Sequence, residues 1–243
     1  MNNIFLVARK ELQSFFASPI AYVIYCVLFL ILGLFFYLEI AAAAVQQFAP
    51  SIQVIIDPLV SVLLFTSPAI TMHAFAEEQK NGTLELLLTA PVRDWEVVIG
   101  KWLGGMAYLA IVLAITWIFP MILNVVVQPG IDQGLLISNY LGLLLLFGSF
   151  LAIGVWVSTL FKKSLAAFFA TLGILLVLWV IGYAGTVMGA TGGEIFSYLG
   201  IREHFYNSFY RGIITLKDVV YYLSLIIVGL FLGSVSVETR RWR

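Results

Sequence analysis

The sequence predicts an all-α membrane protein. It has six transmembrane helices, an N-terminal amphipathic helix at the interface, and short interfacial or re-entrant helices before the last span. Three observations carry that reading. The 243 residues are 62% hydrophobic and 11% charged, against about 25% charged in an ordinary soluble domain, and mean hydropathy is +1.03. Six apolar runs reach the roughly 20 residues that a helix needs to cross a bilayer core. Lys and Arg concentrate in alternate connections between those runs.

The whole chain reads as one transmembrane domain, residues 1–243. A connecting helix over 3–18, NIFLVARKELQSFFAS, comes first. At helical spacing Ile4, Phe5, Ala8, Leu12, Phe15 and Phe16 share one arc, with Arg9, Lys10, Gln13 and Ser14 largely opposite and Glu11 between them. Leu6 and Val7 interrupt the stripe. Such a helix lies flat at the membrane surface, as an anchor or as a lever between the first span and something below. Pro19 then suits the first turn of a new helix. The spans follow at about 19–44, 53–76, 97–127, 138–160, 164–188 and 218–237. Between the fifth and sixth, an outer loop over 189–217 is dense in aromatics, among them Phe196, Tyr198, Phe205, Tyr206, Phe209 and Tyr210. Rings with a polar tip collect at headgroup depth, so this loop is expected to fold into short helices over the outer mouth. The C-terminal VETRRWR is a basic anchor on the inner face.

Charge orients the bundle. With the N-terminus inside, the inner segments hold Arg9, Lys10, Lys80, Arg93, Lys101, Lys162, Lys163, Arg240, Arg241 and Arg243, and the outer ones only Arg202, Arg211 and Lys217. Cytoplasmic loops carry the excess of Lys and Arg, so both termini and the loop over 77–96 are expected in the cytoplasm. No cleavable signal peptide is expected, because a helix rather than a short basic leader precedes the first apolar run.

Few ionisable residues fall in or near spans. Glu39 and Asp57 lie near outer ends and His73 near an inner end. Charge there costs less than at the bilayer centre, and partial hydration accounts for all three. The alternative is that Glu39, Asp57, Pro58 and Pro68 belong to a path or gate, since a proline in a helix leaves a carbonyl without its partner and bends the span.

Enzyme signatures are missing. The sequence has no HExxH, no G-x-S-x-G and no P-loop; its Gly100-Lys101 pair is followed by Trp102. The single cysteine, Cys26, excludes an intramolecular disulfide. If the protein uses ATP, another chain must bind it.

The most charged run is EEQKNGTLELLLTAPVRDWEVVIGK, residues 77–101. Asn81-Gly82 breaks the second helix. Thr83 can cap a short helix with Glu85 in its first turn. Leu84, Leu86, Leu87 and Leu88 give that helix an apolar surface. Ala90-Pro91 ends it, and Asp94 and Glu96 open the next helix. Four clustered leucines would lie on lipid headgroups or fill a groove on a cytoplasmic partner.

The stretch AFAEEQKNGTLELLLTAPVRDWEVVIGKW resembles the first cytoplasmic loop of ABC-2 type transporter permeases. There a Glu-rich helix end, Gly-Thr-Leu-Glu, a Leu-rich helix, Pro-Val and a later Gly-Lys form the coupling segment. KELQSFFASPIAY and REHFYNSFYRGIITLKDVVYY are similar to the branch that includes gliding-motility-associated permeases. The resemblance runs from Lys10 to the last span. It implies the ABC-2, type V exporter-like membrane domain in a bacterial inner membrane. It also implies a second permease copy or a different permease subunit, and cytoplasmic ABC ATPase subunits that hold ATP and Mg. This chain would then hold no cofactor and catalyse nothing. Glu77, Glu78, Gly82, Thr83, Leu84, Glu85, Leu86, Leu87 and Leu88 would form the ATPase-coupling segment, and Arg9, Lys10 and Glu11 would belong to the connecting helix. An extracytoplasmic accessory subunit would be a further partner, beside the lipid membrane; no nucleic acid is expected. Two other readings stand beside this one. An ion-coupled carrier or channel would want midplane carboxylates and internal repeats. A non-transporting scaffold would recruit a machine without moving cargo.

Overall fold

The computed structural model describes residues 2–47, 49–80, 82, 92–128, 130–187 and 190–241. All regular structure among the described residues is helical. In chain order the helices are α1 (Asn2–Ala17), α2 (Pro19–Gln46), α3 (Gln53–Thr71), α4 (Ala76–Lys80), α5 (Asp94–Thr116), α6 (Ile118–Val126) and α7 (Gln133–Leu160). They continue as α8 (Ser164–Val187), α9 (Ala190–Leu199), α10 (Ile201–Tyr206), a 3₁₀ turn (Phe209–Arg211) and α11 (Leu216–Arg241). Six stretches are long and apolar enough to cross a membrane: Ala21–Gln46, Gln53–Gln79, Asp94–Val126, Gln133–Leu160, Ser164–Tyr183 and Leu216–Thr239. This is the expected all-α membrane architecture. Because the spans alternate in direction, α1, α4 and the start of α5 share one end, the α1 end. The loops after α2 and α6, with α9 and α10, share the other.

Helix α7 is the hub. Of its most apolar window 78% is buried, against 11% for α2. It packs against α3, α5, α8 and α11. Its start lies ahead of the apolar run at 138, because the Asp132 carboxylate accepts from the N–H groups of Gly134 and Leu135 at 2.8 and 3.2 Å.

The prolines act differently from one another. Pro58 and Pro68 both lie inside α3, which runs through them. Around Pro68, Ser67 and Thr71 donate back to the carbonyls of Leu63 and Ser67 at 2.6 and 3.0 Å. Pro120 does interrupt its span. It has no N–H for the Thr116 carbonyl, and the ladder breaks at Trp117 between α5 and α6.

The second span breaks earlier than Asn81-Gly82. Helix α3 ends at Thr71, residues 72–75 form turns, and α4 follows. A hydroxyl from another helix offsets this: Ser158 of α7 accepts from the N–H groups of Phe75 and Ala76 at 3.0 and 3.2 Å. Beyond α4, Gly82 takes a left-handed φ of +69°, a conformation that glycine adopts without strain.

Candidate functional site

At the α1 end, two glycines set the geometry. A Cβ on Gly100 would sit 2.7 Å from Val7 Cβ, and one on Gly104 would sit 2.6 Å from Glu11 Cβ. Small residues let helix backbones approach closely in a bilayer, so α1 lies against α5. The face turned inward is the apolar stripe of the sequence with one exchange. Ile4, Ala8, Leu12, Phe15 and Phe16 are partly buried, and Gln13 and Ser14 are exposed. Val7, which seemed to interrupt that stripe, is at the contact, whereas Phe5 is 75% exposed. Arg9 and Lys10 are exposed as well.

Between those glycines Lys101 points into the junction and is buried. Its Nζ lies 3.3 Å from Glu11 Oε2 on α1 and 2.9 Å from Glu78 Oε1 on α4, and 5.1 Å from the centre of the Phe75 ring. One ammonium thus ties three helices. An ammonium held away from water is stable only with such partners; removing one side of a buried pair costs about 3–5 kcal/mol. Nearby, Glu96 Oε2 accepts from the Arg93 N–H at 2.9 Å, closing the start of α5, and from Asn3 Nδ2 at 3.3 Å. On the other flank Gln79 Nε2 donates to the Thr159 carbonyl at 2.9 Å. Glu77 lies 2.8 Å from His73 Nδ1, one turn back. Helix α4 is therefore fixed to α7 on one side and to α1 and α5 on the other.

The structure brings Glu11 and Glu78 together on Lys101, sets Glu77 on His73 at the rim of the cavity that they share, and places Gly82 just beyond. Thr83, Leu84, Glu85, Leu86, Leu87 and Leu88 lie outside the described residues. The sequence reading missed Lys101 as the centre of the site and counted it among loop charges. A signal was present: a lysine inside an apolar helix, flanked by Gly100 and Gly104. An ionisable residue within a span is a functional candidate by default.

At the opposite end Glu39, Asp57 and Pro58 line one cavity of about 700 Å³ with Arg202, Tyr206 and Tyr210. Tyr210 donates to Asp57 Oδ2 at 2.7 Å. Burial raises the phenol pKa of both Tyr206 and Tyr210, and the neighbouring Asp57 carboxylate adds to it. The Arg202 guanidinium lies over the rings of Tyr206 and Tyr183, 4.5 and 5.0 Å from their centres. Pro68 is not part of this cavity. It is ten residues further along α3, about 15 Å at 1.5 Å per residue.

The segment over 190–215 forms the expected short helices and is tightly held. His204 is buried, with Nδ1 2.5 Å from Asp218 Oδ1 and Nε2 2.8 Å from the Tyr198 carbonyl. The Tyr221 ring stacks on it at 3.8 Å, and Thr215 donates to the second Asp218 oxygen. Ser138 and Tyr222 donate to the carbonyls of Phe209 and Ile201. The sequence offers no pairing rule that joins His204 to Asp218. Among the described residues no group of three His, Cys, Asp or Glu could hold a metal.

Residues 5–198 match the family described as ABC-2 family transporter protein. The chain is also similar to the probable ABC transporter permease protein NosY of Stutzerimonas stutzeri, at 30% identity over 140 residues. That alignment covers 56% of this chain and 50% of the relative, so the chain spans about half the length of the curated relative it matches. With a family match over most of its length, six helices able to span a membrane and an amphipathic helix packed at one end, the chain belongs to the ABC-2 family of transporter proteins.

Proposed function

We propose that the chain is the membrane-spanning permease subunit of an ATP-binding cassette transporter. ATP and Mg are bound by separate cytoplasmic ATPase subunits, and this chain turns their closure into export or mechanical work across a bacterial inner membrane. The α1 end faces the cytoplasm, with both termini, in keeping with its share of Lys and Arg. A second permease, identical or different, completes the membrane part.

The observation that carries the reading is the Lys101 junction. Glu78 of α4 and Glu11 of α1 meet on one buried ammonium, next to the segment leading into Thr83–Leu88. A push received by those leucines passes through α4 to α1 and the third span together. Rigid pieces joined by short charged contacts transmit such movement as a body. The same junction fits neither a midplane ion site nor a passive anchor. The likeness to the gliding-motility branch favours a mechanical output, and the relative's printed name favours a transporter permease.

The test is purification from the native membrane with neighbouring subunits intact. A P-loop ATPase should accompany the chain, and Leu86→Asp should abolish its binding while membrane insertion persists. A functional assembly isolated without any ATPase would overturn the reading.

A further inference from the structure

The cavity opposite the Lys101 junction is more than a gap between helices. Glu39 and Asp57 both face it. Among the described residues neither carboxylate has a cation within ion-pair distance. Among the described residues the one cation lining the cavity, Arg202, approaches Glu203 at 3.7 Å and lies over two tyrosine rings. Stacking uses the faces of a guanidinium and leaves its in-plane N–H fork for an oxyanion. The cavity thus presents one fork for a phosphate and two carboxylates for a cation, in one space of about 700 Å³.

Depth points to the source of such a ligand. Asp57 is four residues into α3 and Glu39 seven from the end of α2, about 6 and 10 Å along their axes. The headgroup zone on each side of a bilayer is about 5–8 Å deep. These groups therefore lie where phosphate and glycerol meet the acyl chains. Ile31, Phe35 and Val62 continue the wall inward, which suits an acyl tail.

We propose that this cavity is a lipid site for an aminophospholipid headgroup, with the phosphate on Arg202 and the primary ammonium between Glu39 and Asp57. A primary ammonium is preferred over a choline. The ring faces of Tyr183 and Tyr206 are covered by Arg202, and what remains are carboxylate oxygens, which reward N–H donors. An anionic headgroup brings no cation to Glu39 and Asp57 and is disfavoured. The site goes beyond the coupling function and does not depend on it, since it lies at the end of the bundle away from the Lys101 junction.

Native mass spectrometry of the purified complex tests this, with phosphatidylethanolamine, phosphatidylcholine and phosphatidylglycerol of identical acyl chains. The ethanolamine lipid should be retained about tenfold over the others, the ratio that one charge-assisted hydrogen bond supplies. Glu39→Gln and Asp57→Asn together should erase the preference, Arg202→Gln should weaken retention of both zwitterionic lipids, and Lys217→Gln should change nothing. Glu39 is half-exposed with no ion-pair partner among the described residues, so its amide variant leaves the fold intact. Equal retention of either competing lipid, or a preference that survives the double substitution, overturns the proposal. So does displacement by an equal concentration of soluble phosphoethanolamine, which would identify a water-soluble amine as the ligand.

Discussion

Lys101 Nζ lies 2.9 Å from Glu78 Oε1 across 23 residues of sequence, and the same ammonium reaches Glu11 at 3.3 Å. Two carboxylates on one buried cation make its removal worse than neutralising either acid. Lys101→Met should destabilise the protein by about 3–5 kcal/mol. Glu11→Gln and Glu78→Gln should each cost less, because one carboxylate stays on the ammonium. Thermal unfolding in detergent gives the order. If Lys101→Met melts no lower than Glu78→Gln, the junction is not a structural tie.

Gly104 admits Glu11 to within the space a methyl would need. Gly104→Leu should lift α1 from α5 at a cost of about 1–3 kcal/mol. A cysteine at Val7, in a Cys26→Ser background, should then react faster with maleimide. Unchanged reactivity would mean that α1 does not depend on this close approach.

Ser158→Ala would leave the N–H groups of Phe75 and Ala76 without the hydroxyl that accepts from them. A buried donor that loses its partner costs about 1–3 kcal/mol. Hydrogen exchange over residues 74–80 should accelerate, while exchange within the core of α7 stays slow. Equal protection in both proteins would show that Ser158 does not hold the break in the second span.

Asp218→Asn replaces the carboxylate facing His204 Nδ1 and Thr215. Hydrogen bonds to charged groups are worth about 1.5–3 kcal/mol, so the melting temperature should fall and the segment 198–215 should become open to protease. A variant as resistant as the parent would argue that the tyrosine contacts alone hold this segment.

Orientation has a direct readout. A cysteine at Gly82, which is exposed, should be modified by a membrane-impermeant reagent only from the cytoplasmic side, and one at Gln128 only from outside. The reverse pattern would invert the proposed topology.

Most of the helical architecture was legible in the residue order. Apolar runs of bilayer length mark the spans, although the run over 97–127 reads as a single span and breaks at Trp117 in the structure. The aromatic density of 189–217 announced short helices between the last two spans. Pairings across distance were another matter. Lys101 meets Glu11 and Glu78, Tyr210 reaches Asp57 across 153 residues, and Ser158 caps Phe75 across 83. Nothing local selects these partners. Within a span lipid and protein are both apolar, so hydrophobicity alone does not mark the packed face. The stripe of α1 was legible, since Ile4, Ala8, Leu12, Phe15 and Phe16 do turn inward, but its detail was not. Phe5 faces outward and Val7 inward because of the shape of α5 at Gly100 and Gly104. Span length and loop charge are written along the chain, but which side chains meet was decided only when the helices packed.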